Sequence, residues 1–234
     1  MSDSPPHATV ATAKDEGCDV SHIEEKMKSL RDESSFDRNL WEREWVTIAT
    51  LVELVNADVG RIKNVADVGC GGRELEIGAL ERNIEYRGFD IDDGNFESDP
   101  FPAKNSSFDL VVALALIEHL HNPDNFLREA TRILRPGGVL IVSTPNWHYA
   151  SRHFFDNPAH VQPYTPVSLE TLLSAYGFNN TGTFPGLRAK SRTAYLGKNR
   201  FQRAAMRPFR GSVGWMPAAF TGRATSVFAV GMKT

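Results

Sequence analysis

The sequence predicts a doubly wound α/β fold, with a mainly parallel sheet and helices on both faces. Three observations predict it. Short strand-like runs alternate with helical periodicities in "KNVADVG", "RELEIGALERN" and "IEYRGFDID", the pattern of βαβ units. The run "FDLVVALAL" is apolar throughout and bounded by polar segments, as expected of a strand buried on both faces. A loop with three glycines, Gly69, Gly71 and Gly72, joins the first of these strands to its helix. There glycine lets a ligand approach the backbone with no Cβ in the way.

Each element follows in order. Residues 1–20 are rich in Ser, Pro, Thr and Ala and read as a disordered tail. Residues 21–58 read as N-terminal helices. Ser21 and Glu24 have the spacing of a capping box. In "LWEREWVTIATLVELVNA", Trp41, Trp45, Ile48, Leu51, Val52 and Val55 recur at three- and four-residue steps, and Val59-Gly60 closes that helix. The core spans 59–184. After the first three elements comes the helix "NPDNFLREATRILRPGG", with Phe126, Leu127, Ala130, Ile133 and Leu134 on one face and Pro136-Gly137-Gly138 as its stop. The strand "VLIVSTPN", the helix "SLETLLSAYGF" from Ser168 to Gly177, and a weak strand near "NNTGTF" follow. Residues 185–224 form a basic insertion on the substrate side, and 225–234, with "TSVFAVGMK", return as the last strand of the core.

One interval is short. Only 17 residues, Ile91 to Ser107, separate the second strand from Phe108. A helical crossover needs at least about 10–12 residues by itself, so a full helix plus another strand will not fit. The sequence predicts a loop with at most a turn of helix and a very short strand near Phe96.

Composition bounds the class. With 234 residues, 41% hydrophobic and 24% charged, the chain has room for one domain with additions. No apolar run approaches the roughly 18 residues of a membrane span, and "MSDSPPHATVATAKDEG" lacks a secretory pattern. Cys18 and Cys70 make no disulfide framework. A cytoplasmic location is the default expectation. Charge is divided unevenly along the chain. Residues 1–170 hold all 29 acids against 16 Lys or Arg, a balance of −13, while 171–234 carry ten basic residues and no acid. That division favours an anionic partner for the C-terminal part; the alternative is a basic face that pairs with the acidic body of the same fold.

The glycine loop narrows the ligand. In an open parallel sheet the ligand lies over the C-terminal strand ends, near helix amides. An acid ending the second strand then accepts from ribose hydroxyls; Asp90 stands at the needed distance of ~20 residues, with Asp92 as its competitor. A dinucleotide fingerprint would put glycine at the sixth position from Gly69, where this chain has Glu74. That weighs against a nicotinamide cofactor.

Taken together, "VADVGCGGRE", "YRGFDID", "SSFDLVVALALIEHLHNPDNFLREATRILRPGGVLIVSTPN" and "YTPVSLETLLSAYGF" resemble a class I S-adenosylmethionine-dependent methyltransferase of the small-molecule or glycan type, over roughly residues 60–180. The Phe-Asp, Glu-His, Arg-Pro-Gly-Gly and Gly-Phe landmarks are jointly far more specific than the loop. The resemblance implies a Rossmann-like sheet with an antiparallel last strand, and S-adenosyl-L-methionine as sole cofactor. It assigns Asp67, Gly69 and Gly71 to the methionine part, with Gly72 taking the permissive position because the usual third glycine falls on Arg73. It assigns Asp90, with Ile91 beside it, to the ribose, and backbone from Ala113 to Ala115 to the amino-acid end and methyl group. An acid that meets the adenine is expected in the shortened crossover, with Asp99 and Asp93 as candidates, in a pocket closed by a loop.

Methyl transfer is an in-line displacement in which the protein mainly aligns the reactants. For a hydroxyl acceptor a histidine base suits neutral pH. Among His119, His148, His153 and His160, the favoured candidates are His119, after the central strand, and His160, before the "SLETLL" helix; packing under the loop is the competing role for His119. "STPNW" lacks the second proline of amino-methylating nucleic-acid enzymes, there is no Pro-Cys nucleophile, and no nucleic-acid motif is present. Trp147 and Tyr149 read as pocket walls or packing. The basic segment, with Phe201, Phe209, Trp215 and Phe220 between its arginines, suits a phosphorylated or carboxylated acceptor such as an anionic sugar, or peripheral contact with an anionic membrane. The expectation is O-methylation of a small, anionic or sugar-containing acceptor, with no metal. The alternative is a non-catalytic protein of the same fold that holds an anionic partner through its basic region.

Overall fold

The computed structural model describes residues 40–186 and 225–234. The tail, the helix expected at Ser21 and nine of the ten C-terminal cations (Arg188 to Arg223) lie outside the described residues. Helix α1 covers Leu40–Leu54, and the first βαβ unit is β1 (Asn64–Val68), α2 (Glu74–Leu80) and β2 (Glu85–Phe89). Then come β3 (Phe108–Leu114), α3 (Asp124–Ile133), β4 (Leu134–Pro145), the single turn α4 (Trp147–Ala150), α5 (Pro166–Ala175), β5 (Phe178–Pro185) and β6 (Ser226–Lys233). The six strands lie in the order β2-β1-β3-β4-β6-β5. β2, β1, β3 and β4 run parallel, and β6 is antiparallel to both its neighbours, as expected.

The sheet is buried on two faces, and the side-chain period of two divides it cleanly. Leu110, Val112, Val139 and Ile141 point to one face, where Trp45, Ile48, Leu51 and Val52 of α1 and Leu75 and Ala79 of α2 cover them. Val111, Ala113, Leu140 and Val142 point to the other, under Phe126, Leu127, Ala130 and Ile133 of α3 and Leu169 and Leu173 of α5. Each such large side chain contributes about 1.5–3 kcal/mol on burial. This doubly covered arrangement is why β3 reads as a continuous apolar run rather than an alternating one.

Several boundaries differ from expectation for identifiable reasons. α3 stops at Ile133, and "LRPGG" is the extended start of β4. Pro136 forbids a helix there and biases Arg135 toward extended backbone, and the register with β3 shifts between Phe108 and Leu110. α5 begins at Pro166, capped by Thr165 in a reciprocal box with Ser168. The "weak" strand is eight residues long because it pairs along β6. Val59–Arg61 forms a separate 3-10 turn after α1 rather than its end.

The short crossover is a loop, with one 3-10 turn at Ile91–Asp93 and no strand at Phe96. Side chains of α3 hold it in place of a helix. Asn125 Nδ2 donates to the carbonyls of Phe96 (3.0 Å) and Asp99 (2.9 Å). Glu129 accepts from the Phe101 amide at 2.7 Å, and Arg132 donates to the carbonyls of Phe101 and Ala103. Phe101 stacks on Phe89 at 5.9 Å and sits beside Phe96 and Phe126. Polar pinning of the backbone and an aromatic plug thus replace the missing layer.

Candidate active site

The C-terminal ends of β1, β2 and β3 meet around the glycine loop. Asp67, next to last in β1, is 5% exposed and accepts from the Tyr86 hydroxyl at 2.8 Å. Burial and the neighbouring Asp67 carboxylate hold the Tyr86 phenol far above its usual range. The amides of Gly69 and Cys70 both donate to the Phe89 carbonyl, at 2.8 and 3.1 Å, so the loop is fastened to the end of β2. Gly69 and Gly71 adopt left-handed backbone, with φ of +73° and +47°. A Cβ on Gly69 would stand 3.1 Å from Leu116 Cδ1, whereas at Gly71 it would meet nothing within 4 Å. Gly69 therefore serves close packing, and Gly71 borders open space.

Gly72 does not take the permissive position. Arg73 itself does, with φ 57° and ψ 39°. That conformation costs a non-glycine residue roughly 1–2 kcal/mol, and local contacts offset part of it: Arg73 pairs with Glu76 at 2.9 Å and lies over the Tyr86 ring at 5.4 Å. Burial, with the charges of Asp67 and Asp90 nearby, pushes the Cys70 thiol up to about 11, which makes it a packing group rather than a nucleophile.

Asp90 directly follows β2 and caps the next turn, its carboxylate accepting from the Ile91 amide at 2.9 Å. The Asp90 amide donates in return to Asp93 at 3.0 Å. Ile91 is 60% exposed beside it. Asp99 is exposed and folds back on its own loop, accepting from the Asn95 amide (2.9 Å) and the Ser98 hydroxyl (3.0 Å); these two bonds hold its carboxyl below the ordinary range. Both adenine candidates thus have a local capping role, Asp93 at the turn and Asp99 in the loop.

β3 ends at Leu114 because Ala115 turns left-handed (φ 53°) while its amide donates to the Ser143 carbonyl at 3.0 Å. Ala113 is wholly buried in the sheet, so at this position only its backbone can face a ligand. The chain then passes Leu116, which packs on Gly69, into a 3-10 turn at Ile117–His119. The Glu118 carbonyl accepts from the amides of Val161 (2.9 Å) and Gln162 (3.1 Å), which draws the distant loop 157–164 onto this turn. That fastening brings His119 and His160 together, with ring centroids 4.9 Å apart. His119 Nδ1 lies 3.0 Å from the Ala159 carbonyl, and His160 Nδ1 lies 2.8 Å from the Phe154 carbonyl. An edge-to-face row of Trp147, Phe154 and Phe155 continues from His160, with Phe155 61% exposed. His148 and His153 are both exposed, and His153 pairs with Asp156 at 3.0 Å.

Glu118 was not foreseen as a site residue. It is 1% exposed, and burial pushes its carboxyl up to about 7. The Thr144 hydroxyl is near enough to favour the charged form without reaching hydrogen-bond geometry, and Glu118 Oε2, Thr144 Oγ1 and Tyr164 Oη are all buried without hydrogen-bond partners. The signal in the sequence was an acid inside the apolar stretch "LALIEHL".

A family model described as a methyltransferase domain matches residues 30–182. A probable S-adenosylmethionine-dependent methyltransferase of Mycolicibacterium smegmatis is 34% identical over 146 residues, covering 53% of this chain and 56% of that protein. A ubiquinone biosynthesis O-methyltransferase of Caulobacter vibrioides is 32% identical over 100 residues, covering 34% of this chain and 40% of that protein. The chain therefore spans about half the length of these relatives. Among solved structures, a SAM-dependent methyltransferase from Archaeoglobus fulgidus has the same fold, with a TM-score of 0.57 at 18% identity over 92% of this chain and 100% of that one. With the model matching well over half of its residues, the chain belongs to the methyltransferase-domain family, in the class I, S-adenosylmethionine-dependent group.

Proposed function

We propose that this chain transfers a methyl group from S-adenosylmethionine to a hydroxyl of a small acceptor. The observation that carries this reading is the open space at Gly71. It lies on a loop close to both Asp67 and Asp90, whose charges reach Cys70, and that donor set fits the cofactor. Carboxylates suit its cationic end and its ribose hydroxyls, and a glycine there leaves room beside the backbone. Bound S-adenosylmethionine supplies a methyl on a sulfonium. Asp67 and the Gly69–Gly72 loop hold the methionine part, Asp90 the ribose, and exposed Ile91 offers an apolar face to the adenine. Asp99 keeps the adenine loop in shape.

The acceptor lies against His119, His160 and the Trp147–Phe155 row, where the two histidines promote loss of its proton. Support for an oxygen acceptor comes from the O-methyltransferase of Caulobacter vibrioides among the relatives. The basic stretch within 185–224 lies almost wholly outside the described residues; its run of cations in the sequence suits an anionic or sugar-bearing acceptor. The membership of the family makes the non-catalytic alternative the less favoured one. No helix among the described residues is long and apolar enough to cross a membrane.

Calorimetric titration with S-adenosylmethionine and S-adenosylhomocysteine tests the cofactor site, followed by an acceptor screen that begins with anionic sugars and reads S-adenosylhomocysteine release. Micromolar binding of both ligands and turnover with a hydroxyl acceptor is the expected result. Folded protein that binds neither ligand would end the proposal.

A further inference from the structure

We propose that Glu118, His119 and His160 form a binding site for one divalent transition-metal ion of the zinc class. One ligand atom from each lies within 4.8 Å of the other two, although His160 stands 41 positions beyond His119 in the chain. No cluster of Asp and His is apparent along the sequence, hence the expectation of no metal; the Val161 and Gln162 amides on the Glu118 carbonyl bring the cluster together in space.

Two independent features point to a cation. The first is the tautomer. Each Nδ1 faces a backbone carbonyl, at 3.0 Å for His119 and 2.8 Å for His160. A carbonyl only accepts, so Nδ1 carries the proton in both rings, and in the neutral imidazoles Nε2 then carries the lone pair. Backbone carbonyls in this position are the usual orienting partners of metal-bound imidazole. The second is Glu118. Its Oε2 is buried without a hydrogen-bond partner, an expensive arrangement for a carboxylate, and a metal cation would satisfy it.

The ligand set selects the ion. Two imidazoles and one carboxylate suit zinc and its first-row neighbours, whereas magnesium and calcium prefer oxygen alone. Three protein ligands leave a position open, as in catalytic rather than structural zinc sites. Both imidazoles are partly exposed. The use of the open position rests on the methyltransferase reading above. An acceptor hydroxyl bound there has its acidity raised and releases its proton to solvent. The oxygen then forms a bond to the methyl carbon as the carbon–sulfur bond breaks, and the sulfur keeps the electron pair.

The test uses the full chain, stripped with chelator and then dialysed. Zinc uptake is measured by equilibrium dialysis and cobalt binding by visible absorption, with S-adenosylmethionine titrated into the same samples. One equivalent of zinc, cobalt bands of low-coordinate type, and at least a hundredfold loss of affinity in both His119→Asn and His160→Asn would support the site. Metal uptake equal in the wild type and the H119N/H160N double variant would overturn it, because the ion would then sit elsewhere. Cofactor binding with no metal uptake would overturn it too, while leaving the methyltransferase reading intact. Metal uptake without cofactor binding would keep the site and remove that reading.

Discussion

The Arg135 guanidinium donates to Asp109 Oδ1 at 2.6 Å, and the same Asp109 accepts from the Lys63 and Asn64 amides at 2.9 and 3.0 Å. The Phe-Asp and Arg-Pro-Gly-Gly landmarks are therefore one device. They tie the starts of β1, β3 and β4 together at the end of the sheet opposite the glycine loop.

Asp109→Ala should destabilise the fold by about 2–4 kcal/mol, since two backbone donors and a partly buried arginine lose their acceptor. Burial opposes the charge on Asp109, but the Lys63 amide, Arg135 and the Asn64 amide outweigh it and hold its carboxyl below the usual range. With the folded-state value depressed, this stabilisation is present above the unfolded value and is lost as pH falls through the folded one. Urea titrations from pH 6 down to ~2 should show the wild type losing its advantage over the variant only toward the acid end. A constant difference would mean that charge plays no part.

Asp90→Ala should raise the dissociation constants of S-adenosylmethionine and S-adenosylhomocysteine together, by tenfold or more, because charged hydrogen bonds are worth about 1.5–3 kcal/mol. Calorimetry reads this directly, with circular dichroism to confirm the fold. Unchanged affinity for both would place the ribose elsewhere.

Gly69→Ala and Arg73→Gly should act in opposite directions. The first forces a Cβ against Leu116 at left-handed φ and should lower both thermal stability and cofactor affinity. The second relieves left-handed strain of about 1 kcal/mol at the cost of an exposed ion pair worth little, so affinity should stay within about threefold. Equal damage from both would mean that the Arg73 side chain itself holds the ligand.

His160→Ala should reduce kcat by roughly 10²–10⁴-fold while the cofactor dissociation constant stays nearly fixed. Steady-state rates with a confirmed acceptor measure the first, and calorimetry the second. A loss confined to cofactor affinity would assign this histidine to the other ligand.

Changing Arg203 and Arg207 to Ala should raise KM for an anionic acceptor and leave cofactor affinity nearly intact. If both affinities fall together, these side chains support the fold instead. Lys233, the one C-terminal cation among the described residues, already has a structural use. Its ammonium donates to the Thr131 and Leu134 carbonyls at 2.7 Å, where cations favour a helix C-terminus.

Much of this protein is determined by sequence alone. Periodicity located the strands and helices, since periods of 2 and 3.6 are local properties of the chain. The apolar run 108–114 announced its double burial, and the 17 residues after the second strand left no room for a full helix plus another strand. Asp67, Gly69, Gly71 and Asp90 stood out because turn chemistry and strand-end position are also local. Other features had no local signature. Pro136 bars a helix at "LRPGG", but that segment became strand because β3 offered a partner, and Arg73 holds a glycine's conformation because Glu76 and Tyr86 support it. Above all, two amides on one carbonyl carried His160 across 41 positions to His119 and left the Glu118 carboxylate buried between chemistry and packing. Proximity between distant residues is set by where the sheet and its loops close, and only the tertiary structure decides that.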